Sequence, residues 1–232
     1  DRADASGQRV ISISYLGMMR EAAETGEAQW RSSYRYFPWE DHRTRQPPMI
    51  RDHLAPSLQS WARLAPDART RRSRDQRLSI AFGLNGCQWD EELVVQRYEL
   101  LFEAGLVAEA QRRPGAPQAP ILPGDSMAHD HRRILATGIA RLRAKIKYRP
   151  VVFELMPPSF TLLQLQRAVE ALAGRLLHKQ NFRRLIEQQE LVEETGKIAT
   201  ETGGRPAKLF RFRRQVFLER AVAGTKLPLA RP

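Results

Sequence analysis

The sequence predicts an α+β fold, and three observations support this prediction. Residues 9–19 and 30–41 are apolar or aromatic runs, rich in the residue types that favour strands. Residues 90–107 and 130–147 repeat apolar side chains at helical spacing, which predicts two long amphipathic helices. The last third of the 232 residues contains two shorter helical patterns followed by two strand-like runs. A chain of this length is sufficient for two small domains.

Charge and composition favour a polyanionic partner. The chain has 38 lysines and arginines against 26 acidic residues, a formal net charge of +12 at pH 7. A strongly basic surface is typical of proteins that bind nucleic acid, and a basic surface that is merely solvated is the alternative. The single cysteine, Cys87, cannot form an internal disulfide, which fits a reducing cytoplasm. No apolar run approaches the roughly 18 residues of a membrane span, so we expect a cytoplasmic, nucleoid-associated protein without a membrane partner.

Local signals predict the elements of the N-terminal half. Residues 9–19 predict a buried strand, and residues 30–41 predict a second strand that ends near Pro38. A short helix is expected after the prolines at positions 47 and 48. Residues 67–77 are polar, basic and without apolar periodicity, which predicts a loop.

Two long helices are predicted in the middle of the chain. The first, over residues 90–107, has acidic residues at its start and Gly105 at its end. The second, over residues 130–147, has Asp130 as its expected N-cap and stops before a proline. Residues 111–127 are rich in proline and glycine, so a loop is expected between the two helices.

The C-terminal third predicts a defined order of elements. One helix begins with a T-x-x-Q capping box, Thr161 and Gln164, and ends at Gly174. A second helix covers residues 178–189. Its expected buried side chains are Phe182, Leu185 and Ile186. Two strands, "LVEET" and "KLFRFR", follow, with Gly-Gly-Arg-Pro at residues 203–206 in the loop between them. Helix, turn, helix, strand, loop, strand is the order of a winged helix-turn-helix domain, whose second helix enters the major groove of DNA.

The outward face of that second helix carries the side-chain types that read DNA. Arginine can pair with guanine, asparagine and glutamine can pair with adenine, and lysine or arginine binds phosphate. The DNA-binding residues predicted on this helix are Lys179, Gln180, Asn181, Arg183, Arg184 and Gln188. In the loop that follows, two glycines allow a tight turn, Arg205 is placed to enter a minor groove, and Lys208 lies beside it. A winged helix that binds protein or RNA is the alternative for this pattern.

Several of these motifs resemble a known family. In combination, "FELMPPSFTLLQLQ", "KQNFRR" and "GRPAKLFRF" are similar to the C-terminal winged helix of the Nudix-related transcriptional regulators of NAD metabolism, the NrtR type. The resemblance covers residue 148 to about residue 212, and residues 130–150 resemble the linking helix that precedes this domain. The runs "RVISISYLGMM" and "YFPWED" resemble the later half of a Nudix sheet. The whole chain is especially similar to the alphaproteobacterial group NadQ.

The resemblance implies a homodimeric repressor of NAD biosynthesis genes in which a Nudix-derived domain senses a nucleotide. It implies a Nudix-like sensor domain with a mixed sheet at residues 1–147, a winged-helix DNA-binding domain at 148–215 and a basic tail at 216–232. The expected partner is a double-stranded DNA operator with an inverted repeat. The expected effector is ADP-ribose, NAD or ATP, bound by residues that the sequence does not identify, and no cofactor is required. The DNA-reading role of the family carries over to Lys179, Gln180, Asn181, Arg183, Arg184, Arg205 and Lys208.

The motif of Nudix hydrolysis is incomplete in this chain. That motif ends in R-E-U-x-E-E-x-G-U, and its glutamates hold divalent metal around a pyrophosphate. The nearest run, "YELLFEAGL", keeps Glu99, Glu103 and Gly105, but it lacks the arginine and has Phe102 in place of a metal-binding glutamate. We therefore expect an ordinary helix with a glycine C-cap, no catalytic residues and no enzyme activity. A Nudix pyrophosphatase acting on ADP-ribose or a related nucleotide is the alternative, because a segment upstream of Asp1 could carry such a motif.

Three other patterns favour structure over chemistry. The "HDH" run at residues 129–131 is expected to begin a helix rather than to bind a metal. Cys87 is expected to be a small buried thiol rather than a nucleophile. The aromatic residues between positions 30 and 39 are expected to belong to the core rather than to stack on an adenine.

Overall fold

Helices make up most of the structure, a computed structural model that describes residues 13–20, 29–112, 115, 119–200, 206–213 and 215. The α-helices are α1 (Ala55–Arg63), α2 (Ala68–Phe82), α3 (Val94–Glu103), α4 (Ala108–Gln111), α5 (His131–Tyr148), α6 (Leu162–Ala173) and α7 (Lys179–Gln188). Short 3-10 helices cover Ser33–Arg35, Pro38–Glu40 and Val151–Leu155, and a π-helix covers Ile50–Leu54 directly before α1. Two strands, β1 (Val192–Ala199) and β2 (Ala207–Phe212), form an antiparallel sheet.

The described residues pack around two hydrophobic cores. The first core belongs to a helical N-terminal unit (residues 33–143) and extends from Phe37 through α1, α2 and α3 to Ala136 of α5. The second belongs to the C-terminal domain (residues 146–213) and combines Ile146 of α5 with side chains of α6, α7 and the segments beside them. Helix α5 therefore joins the two parts. The domain boundary after residue 147 stays a prediction; α5 itself ends at Tyr148.

Among the described residues, no strand precedes Val192, so the strands predicted at residues 9–19 and 30–41 are wrong where the structure describes them. Residues 13–19 have no regular structure, and Tyr15 is 95% exposed. Residues rich in β propensity do not form a strand without a second strand to satisfy their backbone groups. The mixed sheet predicted for the N-terminal domain is therefore not formed by the described residues of that part. Residues 9–12 lie outside the described part of the chain.

The alternation of aromatic residues between positions 30 and 41 arises from turns rather than from a strand. Pro38 has no N–H group to donate to a sheet, and it begins the second of two short 3-10 helices. These turns direct Phe37 and Trp39 into the first core, where both side chains are fully buried. The core prediction is confirmed for these two residues and is wrong for Trp30, which is 65% exposed.

The loop predicted at residues 67–77 is also wrong, because this segment forms the first two-thirds of α2. Asp67 is the N-cap, and its carboxylate accepts a hydrogen bond of 2.8 Å from the backbone N–H of Thr70. Arginine is a good helix former, so a basic segment without an apolar stripe still propagates a helix once it is capped. The apolar anchors come only at the end of α2, where Leu78 and Phe82 are buried.

The helices predicted in the middle of the chain are confirmed as α3 and α5. Helix α3 ends in a Schellman motif: the N–H of Leu106 donates to the carbonyl of Leu101, and the N–H of Gly105 donates to the carbonyl of Phe102. Gly105 has a φ of 73°, which confirms the predicted glycine C-cap. Asp130 occupies the N-cap position of α5, and its side chain makes no capping hydrogen bond.

Local signals at the start of the C-terminal domain are confirmed in atomic detail. The hydroxyl of Thr161 accepts from the N–H of Gln164, and the side-chain carbonyl of Gln164 accepts from the N–H of Thr161, so the capping box is complete. Helix α6 ends at Gly174, which adopts a left-handed φ of 75° as predicted. The capping box and Gly174 therefore define the two ends of α6, the helix that precedes α7.

Replacing Thr161 with alanine is expected to lower the free energy of unfolding by about 1 kcal/mol, because it removes the N-cap acceptor of α6. Thr161→Ser keeps the hydroxyl, and it is expected to stay close to the parent protein. Urea denaturation followed by circular dichroism measures both variants. Equal losses for the two variants would show that the methyl group of the buried threonine matters more than its hydroxyl.

The two strands complete a winged helix-turn-helix domain, which confirms the α+β class and the predicted order of elements. Val192 pairs with Phe212 and Ala199 with Ala207, with an irregularity between Glu194 and Ile198. Phe160 and Phe210 exchange backbone hydrogen bonds of 2.8 and 2.9 Å and so form an isolated antiparallel bridge beside the two-stranded sheet. The loop residues Gly203, Gly204 and Arg205 and the tail at 216–232 lie outside the described part of the chain. No described helix is both long enough and apolar enough to span a membrane.

Candidate nucleic-acid interface

Helix α7 has one buried face and one exposed face. Phe182 and Ile186 are 1% and 0% exposed and belong to the second core. Leu185 is half-buried beside them. Residues four apart lie on the same side of a helix, so this apolar pair fixes the rotation of α7 about its axis. The predicted inward face is therefore confirmed, and the rotation leaves the opposite side to solvent.

The exposed face of α7 holds every DNA-binding residue predicted on this helix. All of these side chains are exposed, and none makes a hydrogen bond or an ion pair with another described residue: Lys179, Gln180, Asn181, Arg183, Arg184 and Gln188. At helical spacing, Lys179 and Arg183 form one row and Gln180, Arg184 and Gln188 form a second row. The structure thus brings three cations without an ion pair and three amides onto one surface, together with the exposed carboxylate of Glu187.

The turn before α7 is fixed by a buried polar pair that sequence analysis did not identify. The carboxylate of Glu170 accepts a hydrogen bond of 2.9 Å from the N–H of Leu177, and the side-chain amide of Gln166 donates to the carbonyl of Leu177 at 3.0 Å. Gln166 also donates to Glu170 at 2.9 Å, and both side chains are less than 10% exposed. This pair satisfies both backbone groups of Leu177 and so holds the turn against α6. A glutamine and a glutamate four residues apart within α6 were the available signal.

Two cations of β2 form ion pairs with carboxylates of β1. Lys208 pairs with Glu194 at 2.8 Å, and Arg211 pairs with Glu193 at 2.6 Å. Lys208 is exposed, as the predicted role requires, but its ammonium group already has an anionic partner. Helix α7 and strand β2 therefore differ. The cations of α7 are unpaired within the described residues, whereas DNA would have to compete with Glu194 for Lys208. The role predicted for Arg205 stays a prediction, because this residue lies outside the described part.

The two glutamates of the incomplete Nudix-like motif are engaged in surface ion pairs. Glu103 of α3 pairs with Arg77 of α2 at 2.6 Å, and Glu99 pairs with Arg133 of α5. Both contacts join α3 to a neighbouring helix. In this arrangement the two carboxylates contribute to packing of the N-terminal unit.

A winged helix-turn-helix domain with an exposed, cationic second helix belongs to the class of DNA-binding domains. Comparison with known protein families narrows the class of this domain further. The family model of the NrtR DNA-binding winged helix domain matches residues 152–212. The C-terminal domain is thus of the NrtR type, as the motifs of residues 148–212 implied.

Individual relatives match part of the chain. It is 44% identical over 88 residues to the ADPR responsive transcriptional repressor NtrR of Acinetobacter baylyi, which covers 37% of this chain and 34% of that protein. It is similar to the crystal structure of Shewanella oneidensis NrtR complexed with a 27mer DNA, with 33% identity, a TM-score of 0.35 and coverage of 44% of this chain and 43% of that chain. A structure of Shewanella oneidensis NrtR matches at 32% identity and a TM-score of 0.34, over 43% of this chain and 42% of that chain. The chain thus spans about a third of the length of the curated relative.

Proposed function

We propose that this chain is a transcriptional repressor that binds double-stranded DNA through α7 and responds to an ADP-ribose-related nucleotide. The observation that carries the proposal is the unpaired, exposed row of cations and amides on the second helix of an NrtR-type winged helix domain. The name of the curated relative, an ADPR responsive transcriptional repressor, supports both the sign of regulation and the class of effector.

The chemistry of α7 explains how it would recognise an operator. Residues near the N-terminus of a recognition helix contact base edges, which favours Lys179 and Arg183 for this role. Arginine can pair with guanine through two hydrogen bonds, while Asn181 and Gln180 can pair with adenine. Because none of these cations forms an ion pair with a described residue, they can contact phosphate and release counterions, and operator affinity is expected to fall with salt.

The proposed assembly is a homodimer on an inverted repeat. A two-fold axis would present two copies of α7 to successive turns of the major groove, so the operator half-sites would lie about one helical turn apart. In this proposal the effector is ADP-ribose, with NAD and ATP as the related nucleotides to compare, and the regulator needs no resident cofactor. Regulation of NAD biosynthesis genes, and membership of the NadQ group, stay predictions.

Fluorescence anisotropy tests this function directly. The protein is titrated against DNA from upstream of the NAD biosynthesis genes of its own genome, at two salt concentrations and with scrambled DNA as the control. We expect affinity for both DNAs to fall with salt, tighter binding to the native site than to the scrambled DNA at both salt concentrations, and displacement by one of the three nucleotides. Equal, salt-sensitive binding to both DNAs would contradict a sequence-specific repressor. Magnesium-dependent turnover of ADP-ribose in the same samples would favour the pyrophosphatase alternative.

Replacing Glu194 with glutamine is expected to strengthen DNA binding at low salt. The substitution removes a negative charge from the hairpin and releases Lys208 from its 2.8 Å ion pair. The slope of log affinity against log salt concentration should become steeper by about one unit, because one more cation contacts phosphate. Glu103→Gln is the matched control, because it releases Arg77 in the N-terminal unit. An unchanged slope for Glu194→Gln would show that Lys208 does not contact phosphate in the complex.

A further inference from the structure

The C-terminal end of α6 is capped by residues that lie far away in the chain. The last carbonyl groups of a helix have no partner within it, and they must be satisfied from outside. The hydroxyl of Tyr34 donates to the carbonyl of Ala171 at 2.6 Å, and the backbone N–H of His42 donates to the carbonyl of Gly174 at 2.7 Å. The guanidinium of Arg143 donates to the carbonyl of Leu172 at 3.2 Å. We call Tyr34, His42 and Arg143 the clamp.

A buried ion cluster holds the clamp in place within the N-terminal unit. The carboxylate of Glu40 accepts hydrogen bonds of 2.5 and 3.0 Å from Arg97 of α3 and of 2.5 Å from Arg143 of α5. These three side chains are at most 1% exposed. Arg143 also donates to the carbonyl of Glu91 at 3.0 Å. The loop that contains Tyr34 and His42 is thereby fixed to the two long helices of the N-terminal unit.

A cation at this position is also favoured by the electrostatics of α6. The C-terminal end of a helix carries partial negative charge, which attracts the guanidinium of Arg143. Burial raises the pKa of the Tyr34 hydroxyl, despite the lowering effect of the nearby Arg143, so the phenol remains a protonated donor at neutral pH. The hydroxyl of Tyr34 therefore stays available as a donor over the physiological range.

Gly174 brings the two parts of the protein into contact at close range. A Cβ atom at this position would lie 2.6 Å from the carbonyl oxygen of Glu40 and 2.5 Å from a guanidinium nitrogen of Arg143. Its φ of 75° is left-handed, which also disfavours a side chain. The residue that follows, Arg175, lies 3.9 Å from Glu91 in an ion pair across the same junction. The turn of the helix-turn-helix motif thus packs directly against the N-terminal unit.

We propose that the clamp positions the DNA-reading helix, so that the N-terminal unit sets the direction of α7 through the end of α6. Few residues separate the clamp from α7. The clamp fixes the last turn of α6 and Gly174 directly after it. The Gln166–Glu170 pair then holds the next residues against α6 before α7 begins. The clamp residues are positioning residues, because none of them lies on the exposed face of α7. The inference rests on the DNA-binding part of the proposed function.

Tyr34→Phe in the full chain tests the clamp, because it deletes one hydroxyl and leaves every residue of α7 intact. Tyr36→Phe is the matched control, since its hydroxyl makes no hydrogen bond with a described residue. Hydrogen exchange is measured on peptides that cover residues 172–188. We expect exchange in Tyr34→Phe to be faster by about 2- to 10-fold, as the loss of one buried hydrogen bond implies, and unchanged in Tyr36→Phe.

DNA binding provides the second arm of the test. Operator affinity is expected to fall by about 2- to 10-fold in Tyr34→Phe, while affinity for scrambled DNA stays unchanged, because the cations of α7 are all retained. Gly174→Ala, which forces the clamp apart, is expected to show a larger loss of the same kind. Parent-like exchange and operator affinity in Tyr34→Phe would overturn the clamp. If the parent protein does not discriminate between operator and scrambled DNA, the repressor proposal fails, and the exchange arm still decides whether the clamp orders α7.

Discussion

Arg183→Ala is expected to weaken operator binding by about 1–3 kcal/mol, the discrimination that a base-reading arginine supplies. Arg183 is exposed in the middle of α7, beside the buried face formed by Phe182 and Ile186, and it pairs with no described residue. The stability of the protein should be unchanged, because the side chain packs against nothing in the core. Anisotropy titrations on the operator and on variants with single base-pair changes measure the effect.

The control and the pattern across sequences identify the kind of contact. Arg63→Ala removes another exposed arginine, from the last turn of α1, and we expect operator affinity close to that of the parent protein. A base-reading role requires that Arg183→Ala relaxes the preference at one base pair of each half-site. Uniform weakening on every sequence, with a shallower salt dependence, would instead assign Arg183 to phosphate. No weakening at all would contradict the placement of α7 in the DNA interface.

Glu40→Ala is expected to lower the free energy of unfolding by about 3–5 kcal/mol. Glu40 is the shared anionic partner of Arg97 and Arg143, and the substitution leaves two guanidinium groups charged in a site that is at most 1% exposed. Burial already lowers the pKa of Arg97, and Glu40 is the main group that opposes this effect. Urea denaturation followed by tryptophan fluorescence measures the loss, since Trp89 stacks on the guanidinium of Arg97 at 3.8 Å.

Two further variants separate the buried charge from a general effect of losing a carboxylate. Glu193→Ala breaks the exposed ion pair with Arg211, and we expect a loss of at most about 1 kcal/mol. Glu40→Gln keeps the volume and two polar atoms, and its loss should fall between the other two. If Glu40→Ala is no more destabilising than Glu193→Ala, the buried cluster does not hold the N-terminal unit together.

The C-terminal domain was predictable because its signals are local. The capping box of Thr161 and Gln164, the glycine at position 174 and the apolar spacing of Phe182 and Ile186 each act within one or two helical turns. The glycine signal at the end of α3 was equally sufficient, whereas the helix starts at Val94 rather than at Asp90 as predicted. The helix α2 was missed because its cap at Asp67 precedes a run of arginines, and its apolar anchors come only after residue 77.

The N-terminal strands were predicted wrongly because a strand depends on a partner rather than on its own residues. The run that contains Tyr15 has high β propensity, yet no described strand pairs with it. The aromatic run around Pro38 satisfies the same alternation with 3-10 turns and still buries Phe37 and Trp39. In the run around Pro38 the pattern indicated that Phe37 and Trp39 are buried but not which backbone they follow, and in the run around Tyr15 it indicated neither.

By itself, the sequence determined the winged helix, the rotation of α7 and the polar residue types that this helix exposes, since these follow from contacts between neighbours in the chain. Only the tertiary structure decided which cations are available: those of α7 are unpaired among the described residues, whereas Lys208 lies 2.8 Å from Glu194. It also placed Tyr34 on the carbonyl of Ala171, a contact between residues 137 positions apart. Contacts of this kind depend on how two cores pack across α5, and no periodicity or motif within one segment encodes them.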